Sequence, residues 1–272
     1  MLRSLYSGIS GMKNHQIRMD VIGNNVANVN TTGYKRSSTS FQDVLYQNVR
    51  SARANSGSGT LGGINPSQVG LGVSVANIAN DMGTSSMQNT GRELDLAVHG
   101  NGWFIVTPDE SSDVRYFTRE GAFTIDDEGY LVNANGYKVL DTDEKAISFG
   151  KGGVATISIS IDGKITATDL DGNDISPTNG IGLAMFTNQE GLERVGNNLF
   201  KATLASGEPI DEYGEPATGG YGTINSGYLE MSNVDLTDEL TSMITTQRGY
   251  QANAKTITTS DEMLQILLDL KR

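Results

Sequence analysis

The sequence predicts an α+β protein in which N- and C-terminal α-helices pair as a coiled-coil-like domain and a central all-β domain is inserted between them. Apolar residues recur in steps of three and four at both ends of the chain, as they do in paired helices. Short alternating runs, separated by Asn-Gly and Asp-Gly turns, fill the middle. The predicted segments are 1–36 for the N-terminal helix, 37–70 for an extended linker, 71–231 for the β domain and 232–272 for the C-terminal helix.

The N-terminal helix is predicted from an apolar spacing that slips once. We expect its seam residues to contact other helices and to serve in subunit assembly: Leu2, Leu5, Ile9, Met12 and Met19, followed after the slip by Ile22 and Val26. Gly8, Gly11 and Gly23 each cost about 1 kcal/mol in a helix interior, so they favour a close approach of another backbone. Asn28 and Gly33 predict the end of the helix.

The middle of the chain has a different composition. Residues 51–68 are rich in Gly, Ser and Asn and predict an extended linker. From residue 71 onward the pattern indicates strands, among them the apolar run 103–106 and the strictly alternating run 157–161. Because both ends of this region lead into helices, we expect a β domain whose two chain ends lie close together.

The C-terminal helix is predicted most clearly. Its steps of four and three are almost entirely apolar, and the seam residues are Leu236, Leu240, Met243, Tyr250, Ala254, Ile257, Leu264 and Leu268. Ser232 and Asp235 match a capping box, and Lys271 and Arg272 favour the other end of the helix dipole. Lone helices are marginal in water, so we expect each end to need a partner, either the other end or further copies of the chain. An ordinary helical hairpin that caps a domain is the simpler alternative.

Composition excludes several classes of function. A formal net charge of −12 disfavours nucleic acid as a partner, because an acidic surface repels phosphates. The absence of cysteine excludes disulfides and thiolate metal sites. No apolar stretch is long enough for a membrane helix, and the N-terminus lacks the apolar region of a secretory signal peptide. These grounds alone would indicate a cytoplasmic protein.

Two loop motifs resemble ligand sites. Residues 57–62 contain Gly-x-Gly-x-x-Gly, but no strand precedes the run and no helix follows it, so nucleotide binding is not predicted. Asp169, Asp171 and Asn173 have the alternate spacing of a calcium loop. Asp174 stands where that loop requires Gly, and a hairpin turn explains the run better. We therefore expect neither a cofactor nor a metal.

The remaining candidates for catalysis lack the groups that would complete a site. Ser10 and Lys13 match a Ser-x-x-Lys pair but lie on the predicted N-terminal helix without a second motif. His15 and His99 are far apart in the sequence, and Trp103 lies in an apolar strand where a core position is expected. The sequence therefore does not predict an enzyme.

Four blocks resemble the bacterial flagellar axial proteins, the family of rod, hook and hook-associated subunits. They are DVIGNNVANVNTTGYKR at 20–36, LDLAVHGNGWFIV at 94–106, the hairpin run at 117–140 and the C-terminal run at 226–270. Residues 141–180 match no block. The signature residues carried over from the first block are Asn24, Asn25, Asn28, Gly33, Tyr34 and Lys35.

The resemblance implies a structural subunit that polymerises into the hollow helical rod, which transmits motor torque and houses the export channel. Implied partners are other copies of the chain, adjacent rod and hook proteins and the flagellar type III export apparatus, with the surrounding envelope rings as further candidates. The implied location is the basal body or hook, outside the cytoplasmic membrane, after export without a cleavable signal peptide. The run at 41–50 favours the distal rod class over the short hook class.

Two other classes of function stay open at this stage. One is a secreted β-rich binding protein, in which the central domain would bind a ligand without the terminal helices. The other is a cell-wall enzyme, which would need a hydrolase constellation that the sequence does not contain. If the helices serve only assembly, a fragment without 1–36 and 232–272 should remain folded.

Overall fold

A computed structural model of the chain describes residues 2–53, 63–109, 114–150, 153–169, 171–210 and 213–270. The chain divides into two compact units. The helical unit comprises Met1–Ala27, Ser37–Asn80 and Asp235–Arg272, and the β unit comprises Asn28–Arg36 and Asp81–Val234. The α+β class, the pairing of the terminal helices and the central β domain are confirmed. The short segment Asn28–Arg36 clusters with the β unit, although the sequence pattern grouped it with the N-terminal helix.

Two long helices form the frame of the helical unit. They are α1, Leu2–Ala27, and α2, Leu236–Asp269. Helix α2 begins one turn later than the predicted capping box implies, because Asp235 is its N-cap. The Asp235 carboxylate accepts hydrogen bonds from Thr237 N at 2.7 Å and Asp238 N at 3.4 Å, which satisfies backbone donors that the first helical turn leaves free. Lys271 and Arg272 lie outside the described residues.

A long antiparallel ribbon includes both ends of the segment 37–70, which was expected to be an extended linker. Strand β1 (Ser37–Asp43) pairs with β4 (Val73–Asn80), and β2 (Tyr46–Arg50) pairs with β3 (Ser67–Gly70). Val44 N donates to Gly72 O at 3.0 Å and Leu71 N donates to Leu45 O at 3.2 Å, so the two pairs are continuous. The Gly-rich run 57–62 lies outside the described residues.

The β unit is built around one large sheet. Its order is β15-β16-β8-β7-β11-β10-β9, with β14 paired to β7. Three smaller pairs, β12-β13, β17-β6 and β18-β5, complete the unit. The strands are β5 Met87–Asn89, β6 Leu96–His99, β7 Trp103–Thr107, β8 Tyr116–Thr118, β9 Phe123–Ile125, β10 Leu131–Asn133, β11 Lys138–Val139, β12 Val154–Ile159, β13 Ile165–Asp169, β14 Leu183–Ala184, β15 Glu193–Gly196, β16 Leu199–Lys201, β17 Thr223–Ser226 and β18 Tyr228–Glu230.

The core of the β unit lies against β7, which is buried along its whole length. Trp103 is fully buried and packs edge-on against Phe200, with ring centroids 4.8 Å apart, so the expected core position is confirmed. The expected turn chemistry is also present: Gly163 between β12 and β13 has φ +76°, which favours glycine. Gly172 N donates to Asp169 O at 2.9 Å, so the calcium-like run is a hairpin turn.

Candidate assembly site

The terminal helices run antiparallel and touch through small and polar residues. A Cβ added at Gly11 would lie 2.6 Å from Asn253 Nδ2, and one added at Gly249 would lie 2.6 Å from the His15 ring. Ser4 Oγ is 3.4 Å from Ser260 Oγ. The side chains of Asn253 and His15 thus occupy the space that a side chain at Gly11 or Gly249 would need.

The glycine expectations have a mixed outcome. At Gly8 the other helix is close, since an added Cβ would lie 2.9 Å from Thr256 Oγ1 and 3.5 Å from the backbone oxygen of Asn253, whereas at Gly11 the near atoms belong to the Asn253 side chain and not to a backbone. The expectation of a close backbone is wrong at Gly23, because nothing lies within 4 Å of a Cβ built there. His15 has a packing role, because its ring packs edge-on against Phe41 with ring centroids 5.6 Å apart. Burial is the larger cause that lowers the pKa of His15, and the nearby positive charge of Arg18 lowers it further.

The predicted seam residues divide between two environments. Ile22 is buried, and the half-buried members are Leu5, Met12, Met19, Val26, Met243, Ala254, Ile257 and Leu264. The exposed members are Ile9, Leu236, Leu240, Tyr250 and Leu268. Leu2 belongs to α1, but its side chain lies outside the described part of the structure. The fully buried residues of α2 are the polar Glu239, Thr246 and Ser260. A prediction based on the spacing of apolar residues does not identify them, so it misses this part of the buried face of α2.

Helix α2 consequently keeps two exposed apolar patches. The first, called here the N-terminal patch, is Leu236, Leu240 and Ile244, spaced four residues apart on one face. The second, the C-terminal patch, is Met263, Ile266, Leu267 and Leu270, which repeat at i, i+3, i+4 and i+7. Exposure ranges from 43% at Leu236 to 78% at Leu270. Sequence reasoning missed Ile244 and the four residues of the C-terminal patch, although their helical spacing was a usable signal.

The ribbon is a further exposed apolar surface of the helical unit. All described residues of β2 and β3 are exposed, and Leu45 next to them is 76% exposed. Tyr46 and Val49 on β2 and Val69 on β3 are also exposed. A two-stranded ribbon is only marginally stable by itself, and apolar side chains on it remain open to water.

The signature asparagines have distinct local roles. Asn25 is buried, its Nδ2 donates to Ser37 O at 2.7 Å, and its Oδ1 accepts from Ser37 N at 3.0 Å. One side chain thus satisfies both backbone groups of Ser37, as a paired strand would. Asn28 forms the turn after α1, where its Oδ1 accepts from Thr31 Oγ1 at 3.1 Å. Asn24, by contrast, is exposed.

The signature residues Gly33, Tyr34 and Lys35 are all buried within the β unit. Gly33 has φ +68°, and an added Cβ would lie 2.7 Å from Glu120 N, so both conformation and space require glycine. The Arg194 guanidinium lies 4.9 Å from the centre of the Tyr34 ring. This three-residue run is therefore a packing element of the β unit.

Lys35 belongs to a buried charge cluster with Arg119 and Glu230, each about 1% exposed. Lys35 Nζ lies 2.6 Å from Glu230 Oε1 and donates to Gly83 O at 2.7 Å. Arg119 approaches Glu230 Oε2 at 3.4 Å and donates to Gly100 O at 2.9 Å. Burial lowers the pKa of Lys35, and the attraction of Glu230 opposes that shift without cancelling it. Two cations thus share one carboxylate in the protein interior.

Two kinds of feature, a cluster of metal ligands and a helix able to span a membrane, are absent from the described residues. That part of the chain contains no group of three His, Cys, Asp or Glu side chains placed to hold a metal ion. Its helices include none that is both long and apolar enough to cross a membrane.

Three protein-family models match the chain. One described as "Flagella basal body rod protein" matches residues 5–35, and one described as "Flagellar hook protein FlgE/F/G D1 domain" matches residues 97–167. A third, "Flagellar basal body rod FlgEFG protein C-terminal", matches residues 225–270. The second match extends into the segment 141–180, which the sequence motifs left unassigned.

Similar proteins match along their whole length. The flagellar basal-body rod protein FlgG of Bacillus subtilis is 47% identical over 272 residues, with 100% of both chains covered. The FlgG protein of Agrobacterium fabrum is 37% identical, with 98% of both chains covered. The flagellar hook protein FlgE of Treponema pallidum is 28% identical over an alignment of 471 residues that covers 100% of both chains.

Replacing Gly8 and Gly11 together by Ala should stabilise the protein by less than the gain of about 1 kcal/mol per glycine expected from helix propensity, because the new methyl groups crowd the Thr256 and Asn253 side chains. Gly23→Ala is the matched control and should raise the free energy of unfolding by about 0.5–1 kcal/mol, since that position is open and Ala favours helix. Denaturant unfolding followed by circular dichroism measures both. A gain per glycine equal to that of Gly23→Ala would contradict the crowding at Gly8 and Gly11.

Replacing Asn25 by Ala should lower the free energy of unfolding by about 1–3 kcal/mol, because the amide and carbonyl of the half-buried Ser37 lose their partner. Gln16→Ala, at an exposed position of the same helix, is the control and should cost less than about 1 kcal/mol. The same unfolding measurement compares them. An Asn25→Ala protein as stable as Gln16→Ala would refute the role of this side chain.

Proposed function

This chain belongs to the family of flagellar basal-body rod and hook proteins, and we propose that it is the subunit of the distal rod. In this proposal, copies of the chain polymerise into a hollow helical tube that transmits motor torque and encloses the export channel. The observation that carries the proposal is the pair of apolar patches that α2 leaves exposed in the single subunit. The chain acts as a structural component and performs no catalysis.

The packing of α1 against α2 is the reason these patches are available. Glycine, serine and asparagine lie at the contact between the two helices, and seven large apolar side chains of the two patches remain exposed. Burying such side chains against a neighbour contributes about 25 cal/mol per Å² of apolar surface. Coiled-coil-like contacts therefore form between copies of the chain, with the two patches and the exposed seam residues as their apolar component.

The two patches also account for growth into a tube. The N-terminal and C-terminal patches of α2 are separate surfaces on different stretches of one helix, and contact between unlike surfaces is heterologous. Heterologous contacts that do not close into a ring generate an open helical polymer. The exposed ribbon supplies a further surface for neighbouring subunits in the same polymer.

The choice of rod over hook rests on the relatives. Two proteins named as rod proteins are 37% and 47% identical to this chain, whereas the hook protein is 28% identical. Adjacent rod and hook proteins are the expected neighbours along the axis, and the envelope rings surround it. The chain reaches this place outside the cytoplasmic membrane through the flagellar export apparatus. Nucleic acid is not a partner.

Electron microscopy of basal bodies from cells that lack the gene tests the assignment. Loss of a distal rod subunit should leave basal bodies with an incomplete rod and no hook. Complete rods that lack only the hook would identify the chain as a hook subunit instead.

Replacing Leu240 and Ile244 by Glu should abolish both tube formation and swimming, because two charges in the N-terminal patch prevent its burial. The free energy of unfolding of the single subunit should change by less than about 1 kcal/mol, since both side chains are exposed. Gln251→Glu adds a charge at an exposed polar position of the same helix and serves as the control. Normal tubes formed by the double variant would rule out this patch as an assembly surface.

A further inference from the structure

The buried charge cluster connects parts of the β unit that are far apart along the chain. Glu230 is separated by 195 residues from Lys35 and by 111 residues from Arg119. Its carboxylate also accepts hydrogen bonds from Ser85 N at 3.4 Å and Ser85 Oγ at 3.3 Å. Its backbone oxygen accepts from Gly33 N at 2.8 Å. Glu230 is therefore the point at which four distant segments meet.

A closed path of hydrogen bonds lies beside the cluster. Arg36 N donates to Asn233 Oδ1 at 2.6 Å, and Asn233 Nδ2 donates to Asp81 O at 2.9 Å. Asp81 N completes the path by donating to Arg36 O at 2.8 Å. The segment 228–233 is thus connected to the segments 33–36 and 81–86 by hydrogen bonds of both side chains and backbone.

The order of the three charged residues in the sequence determines which of them is synthesised last. Lys35 and Arg119 precede their shared carboxylate, so both cations are present before Glu230 during synthesis. A buried charge without its partner is strongly unfavourable, because the interior does not replace its hydration. The lowered pKa of Lys35, present even beside Glu230, indicates that burial of this ammonium group is only partly compensated. Without Glu230 the two cations remain in water.

We propose that Glu230 is a counter-charge lock, so that the β unit closes only when the segment 228–233 docks onto Lys35 and Arg119. The lock keeps the β unit open until nearly all of its sequence is available. It concerns the folding of a single chain and goes beyond the rod assignment, which it does not require. For a chain that is exported before assembly, the lock also delays folding until the C-terminal part has emerged.

The first test uses the full chain and the balance of charge in the cluster. Glu230→Gln keeps the shape but leaves two cations unbalanced, and the amides of β7 should then exchange with solvent at least about 100-fold faster. Adding Lys35→Met removes one of those cations. The double variant should recover at least about tenfold of the lost protection, because its charge imbalance is again that of the native cluster. Lys145→Gln, which breaks an exposed ion pair, is the control and should leave exchange unchanged.

The exchange protection of the double variant, compared with that of Glu230→Gln, distinguishes an effect of charge balance from the loss of a hydrogen bond. If Glu230 mattered only through its hydrogen bonds, Lys35→Met would remove another bond and leave the double variant no better than Glu230→Gln. That result overturns the proposal. Recovery of protection in the double variant supports it.

The second test follows the chain during synthesis. When translation is arrested with Glu230 still inside the ribosome, the β unit should be digested by protease. When the whole β unit has emerged, the native chain should resist and the Glu230→Gln chain should still be digested. Resistance before Glu230 emerges, or resistance of the emerged Glu230→Gln chain, would overturn the lock. Neither test measures polymerisation, so failure here leaves the rod assignment untouched.

Discussion

The close approach of α1 and α2 decides which surfaces of the helical unit remain available to other molecules. Where Gly11 faces Asn253 and Gly249 faces His15, the helices use small residues to touch. Leu and Ile side chains that would fill the seam of an ordinary helix pair are left on outer faces. The seven large apolar side chains of the two patches are therefore not used inside the single subunit.

The β unit is organised on a different principle. Its core is a dense apolar sheet in which β7 is wholly buried, and such a core alone would tolerate many rearrangements. The cluster of Lys35, Arg119 and Glu230 adds buried ion pairs between segments that are far apart in the sequence. It fixes where Gly33, Tyr34 and Lys35 lie, which gives three signature residues a physical role inside the subunit. A fragment that lacks residues 1–36 loses Lys35, so the simple expectation that it stays folded is no longer well founded.

Local features were the ones that sequence reasoning could predict. A continuous apolar run identified the buried strand at Trp103, and an Asp-Gly turn signal identified the hairpin at Gly163, because both signals reside in a few adjacent residues. The start of α2 was misplaced by one turn, since Ser232 and Asp235 are both good caps and only the structure distinguishes them. The pairing of Lys35 with Glu230 leaves no local trace across 195 residues. The ribbon was missed because the Gly-rich composition of 51–68 concealed the strands on either side.

The two unlike patches of α2 have a consequence for the finished polymer. If the N-terminal patch of one copy is covered by a different surface of the next, the first and last subunits are left with different patches uncovered. The polymer then has polarity: its two tips are chemically distinct, and a protein that recognises one tip has no reason to recognise the other. Addition of new subunits, docking of the following axial protein and anchoring at the base can thus be assigned to separate termini by the geometry of a single helix.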